Sequence, residues 1–314
     1  MHGSSPDSSG VAPARPQGWA KAATLIAVAT ASTLILTKFI AWLVTGSATV
    51  LGSLADSGLD LLGSMIAFGA VRYASAPADQ DHRFGHDKAE PVASALQVVI
   101  ITASAVFVLV ESVRRFIAPE PLHQGELALG AMVLSLVLSG GLVAFQSYAM
   151  RKSDSLVIEG DRAHYIGDIL ANFGGIIAIY LSIQFGWLRA DAIAGAVAGI
   201  FLLHAAYSIV RKAIPQLMDE ELSPSKREQI RAIVLADEDV RGLHALRTRK
   251  AGSRVFILFH LELDPQMRLD EAHVVADRVE LALLKEFPGA DIMVHQDPHG
   301  LVEPHDRYGN RLPE

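Results

Sequence analysis

Over the first two thirds of the chain, long apolar runs alternate with short polar breaks, and charged residues become dense only after about Met218. Six runs, at 20–44, 49–73, 90–117, 125–150, 160–185 and 190–213, each exceed the roughly 20 residues a helix needs to cross about 30 Å of hydrocarbon. Gly46-Ser47, Ala76-Pro77, Pro119 to Pro121, Arg151 to Asp154 and Gly186 to Arg189 supply the turn formers and charges that separate them. The first run is too long for the apolar region of a signal peptide and lacks a persuasive cleavage site, so it reads as a retained span.

Beyond residue 213 the period changes. An amphipathic helix is expected over 225–235, strands over 243–248 and 255–263, a second helix over 269–287 and a last strand over 291–295. The order αββαβ predicts a small α+β domain with two helices on one face of a three-stranded sheet. The expected organisation is a disordered tail (1–19), an all-α six-helix transmembrane domain (20–213), a cytoplasmic α+β domain (214–300) and a mobile tail (301–314).

Composition sharpens the picture. A hydrophobic content of 51% and a mean hydropathy of +0.31 call for a lipid bilayer as solvent. A net charge of -7 and a pI near 5.9 give no basic footprint for nucleic acid. The chain has no cysteine, so any metal must be held by histidine and carboxylate. Six spans put both termini on one side, together with Arg15, Lys21, Arg72, Arg83, Lys88, Arg151, Lys152, Arg211 and Lys212, and leave only Arg114, Arg115 and Arg189 opposite. The positive-inside rule makes that side cytoplasmic, and a multi-pass protein of the inner (plasma) membrane is expected.

Ionisable residues inside apolar spans are costly and mark function. The second span sets Asp56 and Asp60 four residues apart, on one helical face, and the fifth repeats the spacing with His164 and Asp168. If the two faces meet, three oxygens and one nitrogen surround a point, a set that suits tetrahedral Zn2+ better than Mg2+ or Ca2+. Emptied, it would gather up to three negative charges in a low dielectric, so protons should bind when metal leaves, with His164 the natural carrier. Lys38, near the middle of the first span, is given no role. The loop after the second span places Asp79, His82 and His86 at short spacing, which a solvated turn explains equally well. His244, His260, His273, His295 and Asp297 are scattered through the last domain, where lone surface histidines are ordinary.

These motifs carry a resemblance to a known family. From the first span to Asp297, the chain resembles the cation diffusion facilitators, most closely their bacterial zinc/proton antiporters. Ser53 to Asp60, Pro77 to Glu90, His164 to Asp168, Leu246 to Arg249, Phe287-Pro288-Gly289 and His295-Gln296-Asp297-Pro298 carry the match. The resemblance implies a homodimer whose cytoplasmic domain has a metallochaperone-like fold. It makes Asp56, Asp60, His164 and Asp168 the transport site and Asp79, His82 and His86 a loop site. His244, His260, His273, His295 and Asp297 become a binuclear cytoplasmic site bridged by Asp297, and Lys88 pairs with Asp219. The cargo it implies is zinc, with Cd2+ or Fe2+ as alternatives, exchanged for protons. Asp81, Asp87 and His299 are additional ligand-type residues that depart from its pattern. Two other readings need weighing. A membrane metalloenzyme lacks support, since all four candidate ligands are committed and no His-Glu-x-x-His helix occurs. A metal sensor that moves no ions leaves the intramembrane charges without a purpose.

Overall fold

The computed structural model describes residues 18–45, 48–119, 126–153 and 155–300. Most of the expected amino-terminal tail, the expected mobile tail 301–314, and the breaks at Gly46-Ser47 and Asp154 lie outside them. The chain divides between Met218 and Asp219 into two compact units.

The first unit is built of α1 (Gly18–Thr45), α2 (Ala48–Ala74), α3 (Ala89–Ile117), α4 (Glu126–Ser153), α5 (Leu156–Phe185) and α6 (Ala190–Leu217). All six are long and apolar enough to cross a membrane. Helix α1 begins at Gly18, inside the stretch expected to be disordered, where Trp19 packs edge-on against Tyr148 with ring centroids 5.1 Å apart. Helix α5 starts four residues before its expected limit. Leu156, Val157 and Ile158 are buried there, and the hydroxyl of Ser155 donates to Glu90 Oε2 at 2.6 Å. It ends at Gly186, whose φ of 66° lets its N–H return to Ser182 O at 3.0 Å.

Apolar side chains such as Ile40, Leu62, Val99, Phe107 and Ile183 face outward, as lipid requires. The buried side is made largely of small residues, among them Ala23, Ala27, Ala31, Ala67, Ala105 and Ala198. Lipid tails are as apolar as leucine, so helices in a membrane gain by approaching closely across small residues. The α5–α6 seam shows this: a Cβ on Gly167 would lie 2.6 Å from Leu202 Cδ2, and one on Gly174 2.5 Å from the Ala194 Cβ. Helix α1 packs on α2 and α4, α3 on α6, and α5 on α4 and α6, while α2 and α3 also reach α5. A polar knot ties three of these helices together. The buried Asp161 of α5 accepts from Ser64 Oγ of α2 at 2.9 Å and from Gln146 Nε2 of α4 at 2.6 Å. Ser64 also lies 3.2 Å from the buried Tyr165 hydroxyl.

The second unit has α7 (Pro224–Val234), β1 (Gly242–Ala251), β2 (Arg254–Leu263), α8 (Leu269–Glu286) and β3 (Asp291–Pro298), in the expected αββαβ order. The strands lie in the order β1-β2-β3. Strands β2 and β3 are parallel, joined by α8, in a register that sets His260 beside His295 and Glu262 beside Asp297. That pairing carries β3 three residues past its expected end. Alternation along β2 sends Ile257, Phe259, Leu261 and Leu263 into a core with Ile230, Val234, Val275, Val279 and Leu283. His260 and Glu262 are left on the other face. The Arg278 guanidinium of α8 forks onto Asp237, with two contacts of 3.0 Å, and reaches Asp239 at 2.5 Å. That fork holds the Asp237 carboxyl below the usual carboxylate range.

Two measurements follow from these contacts. Asp161→Ala leaves Ser64 with the Tyr165 hydroxyl but strands the Gln146 amide inside the bundle, and should cost about 1–3 kcal/mol, read as a lowered unfolding midpoint of the detergent-solubilised chain. Because the folded-state pKa of Asp237 is depressed, its contribution is present above the unfolded value of about 3.9 and is lost as pH falls through the folded one. Arg278→Ala should therefore unfold at lower temperature than wild type near neutral pH, with the gap closing only below about pH 4.

Candidate metal centres

Inside the helix bundle, α2 and α5 bring Asp60, His164 and Asp168 together, with one ligand atom from each within 4.8 Å of the others. His164 Nε2 lies 2.5 Å from Asp60 Oδ1. The local sequence explains the aim: Ser57, Asp60 and Ser64 recur at three- and four-residue spacing and form the buried polar stripe of α2. One imidazole and two carboxylates converging between these helices make a donor set for a divalent transition ion. Asp56 lies one turn before Asp60, is exposed, and is not part of this set. Lys38 of α1 donates to Ser57 Oγ at 2.6 Å and to Ser53 O at 3.2 Å, so it meets α2 through serines. A cavity of about 10 Å³ adjoins the set, lined by Asp60, Gln97, Asp161 and His164 among others. Asp161 and Gln97 went unnoticed in the sequence reading. Asp161 carried the same signal as Asp60, an acid in an apolar run; Gln97 carried none that separates it from other polar residues on α3.

After α2, Asp79, His82 and His86 also draw together. Asp79 accepts the backbone N–H of His82 at 2.7 Å and of Asp81 at 3.0 Å, a turn that aims its carboxylate back at the two rings. Its oxygens lie 3.1 Å from His82 Nδ1 and 3.2 Å from His86 Nε2. The His82 backbone hydrogen bond holds the Asp79 carboxyl below its ordinary range. Gly85, at a φ of 82°, makes the bend that returns His86 to Tyr73, ring centroids 4.5 Å apart. The cluster borders a cavity of about 540 Å³, whose walls include Ile66, Tyr73, Val92 and Leu96. Among the described residues, Asp81 and Asp87 take no ligand position in it.

The third set lies on the open face of the sheet, where His244 of β1, His260 of β2 and Asp297 of β3 meet. The buried Asp297 sits 2.7 Å from His260 Nδ1 and 3.3 Å from His244 Nε2 through one oxygen, and 3.1 Å from His295 Nε2 through the other. A carboxylate engaged through both oxygens, with imidazoles around it, can bridge two ions. His273 stands apart on α8, exposed, with its ring 3.7 Å from Asp277 of the same helix. Asp219 is held by Arg249 at 3.0 Å within this unit. The sequence reading passed over Glu262, whose Oε1 lies 2.9 Å from His244 Nδ1 and whose Oε2 lies 2.8 Å from His299 Nδ1. These two imidazoles, His299 foremost, hold its carboxyl below the usual range. Its position two residues after His260 on a strand was the available signal.

Comparison with known proteins assigns both units to one family. The pattern of the cation efflux transmembrane domain matches residues 24–218, and that of the cation efflux protein cytoplasmic domain matches residues 222–299. The cation-efflux pump FieF of Yersinia pestis strain Pestoides F is 41% identical over 292 residues, covering 93% of this chain and 97% of that protein. The FieF pump of Yersinia pseudotuberculosis serotype O:3 strain YPIII matches equally well, at 41% over 292 residues, 93% of this chain and 97% of that one. Among solved structures, the metal-bound C-terminal domain of the CzcD transporter from Thermotoga maritima is 26% identical, with a TM-score of 0.25 over 26% of this chain and 100% of that domain. The chain belongs to the cation efflux family, the cation diffusion facilitators, and is a multi-pass membrane transporter of metal cations rather than an enzyme.

Proposed function

We propose that this chain exports zinc from the cytoplasm across the inner membrane in exchange for protons, with Cd2+ and Fe2+ as secondary cargo. The observation that carries the reading is the meeting of Asp60, His164 and Asp168 between α2 and α5, deep among apolar helices. Zn2+ accepts imidazole nitrogen and carboxylate oxygen in tetrahedral geometry, and Asp56, one turn along α2, is the available fourth ligand. Protons replace the ion when it leaves, because uncompensated carboxylates in a low dielectric are costly. Inward proton flow would then drive outward metal flow. In alternating access the bundle rocks about this fixed point and exposes it to one side at a time.

The carboxy-terminal unit takes the cytoplasmic side in this reading, as do both termini, by the distribution of Lys and Arg. His244, His260, His295 and Asp297 supply it with ligands for regulatory zinc, and the exposed His273 joins them when two copies pair as a homodimer. Metal binding that favours one arrangement of the dimer biases the transport cycle by differential affinity. Asp79, His82 and His86 form a separate loop site beside the bundle. When bound, zinc at the regulatory sites would supply a fixed positive charge and a cross-link between the strands; the protein residues aim the ligands.

Zinc flux into proteoliposomes under an imposed pH gradient tests the proposal, with intact protein compared to Asp168→Ala. Gradient-dependent flux that disappears in the variant is expected. Flux by the variant equal to the intact protein would remove the intramembrane set from the mechanism, and no flux by well-folded intact protein would favour a metal sensor or another cargo.

A further inference from the structure

We propose that Glu262 is the positioning residue of the carboxy-terminal metal site: its carboxylate fixes the tautomer and aim of His244, and His299 holds that carboxylate in place. The inference rests on the reading that His244, His260 and Asp297 bind metal, and extends it by residues that no ligand set included.

The geometry is a continuous chain of alternating imidazoles and carboxylates. His299 Nδ1 lies 2.8 Å from Glu262 Oε2, Glu262 Oε1 lies 2.9 Å from His244 Nδ1, and His244 Nε2 lies 3.3 Å from Asp297 Oδ2. A ligating imidazole must present one nitrogen without a proton, and it does so reliably only when the other nitrogen donates its N–H to a fixed acceptor. Glu262 is that acceptor. With the proton of His244 held at Nδ1, the lone pair of Nε2 points to the place where Asp297 and His260 already converge.

Four further observations show that the carboxylate is seated and not merely nearby. The β2–β3 register sets Glu262 directly beside Asp297, so both carboxylates leave the sheet at the same level. Gly242 opens the room for it, because a Cβ there would lie 2.8 Å from Glu262 Oε2 and 2.9 Å from its Cδ. On the far side, the backbone N–H of His299 donates to Leu263 O at 2.7 Å, which pins the histidine that grips the second oxygen. Beside His244, Ala245 has a φ of 49°, a left-handed conformation uncommon for alanine in a strand. Such strain persists where the surroundings dictate the conformation, and it turns the backbone next to the ligand that Glu262 holds. An exposed ion pair of ordinary kind would need none of these provisions.

The test uses the full chain in detergent, titrated with Zn2+ against a competing chelator and with Co2+ followed by its visible absorption. His260→Ala identifies the component that belongs to this site. Glu262→Gln, which keeps size and one acceptor but removes the charge, should weaken that component by about 10–100-fold. It should also shift its Co2+ spectrum while the metal-free chain stays folded. Gly242→Ala should weaken it in the same direction, and His299→Ala by less than Glu262→Gln. In a His244→Ala background, Glu262→Gln should have no further effect. Unchanged affinity in Glu262→Gln, or a loss that persists in full without His244, would overturn the positioning role. If His260→Ala leaves every component in place, the metal-site reading beneath it fails instead.

Discussion

A charge removed from water must find a compensating partner within a few ångströms, and nearly every informative feature of this chain follows from that requirement. Three carboxylates, Asp60, Asp161 and Asp168, sit inside a bundle whose walls are alanine, leucine and valine. Asp161 is satisfied by neighbouring helices: a serine and a glutamine donate to it, and it becomes a fastener between α2, α4 and α5. Asp60 and Asp168 converge on His164, and that histidine already lies against Asp60. In the proposed reading, the difference between a fastener and a binding site is a count of donors. Where protein donors are enough, a carboxylate locks helices; where they fall short, it takes a cation.

The same rule operates in a wetter setting at the other two clusters. In the loop, backbone N–H groups hold Asp79 and leave its outer lone pairs for His82 and His86. On the sheet, Asp297 is buried by its neighbours and surrounded by three imidazoles, while Glu262 is drawn toward the ionised form by two. The fold serves these sites through periodicity. Alternation in β2 divides Phe259 and Leu261 from His260 and Glu262, so one strand builds the core and the ligand face together.

Much of this was legible in the sequence, since hydrocarbon thickness fixes helix length and apolar runs report it directly. All six spans could be read for that reason, and the αββαβ order from the switch between helical and alternating periodicity. Boundaries were less legible. The start of α5 depends on Ser155 finding Glu90, a contact 65 residues distant in the chain. Within the sites, His-x-x-x-Asp and Asp-x-x-x-Asp spacing revealed which residues share a helix face, though it could not say how far Asp56 would stand from the partners of Asp60. Glu262 was hidden for a different reason. Glutamate in a surface strand is commonplace, and its meaning comes from β-sheet register, which pairs it with Asp297 only once β3 has been placed beside β2.

The ligands themselves carry one more consequence. Every candidate donor is an imidazole or a carboxylate, and the chain has no thiol. Thiolate metal sites are disarmed by peroxide, which converts cysteine to sulfenic acid or disulfide and releases the ion. Imidazole–carboxylate sites have no such oxidation step. In the proposed reading, metal capture by these clusters therefore has no thiol to lose to an oxidant.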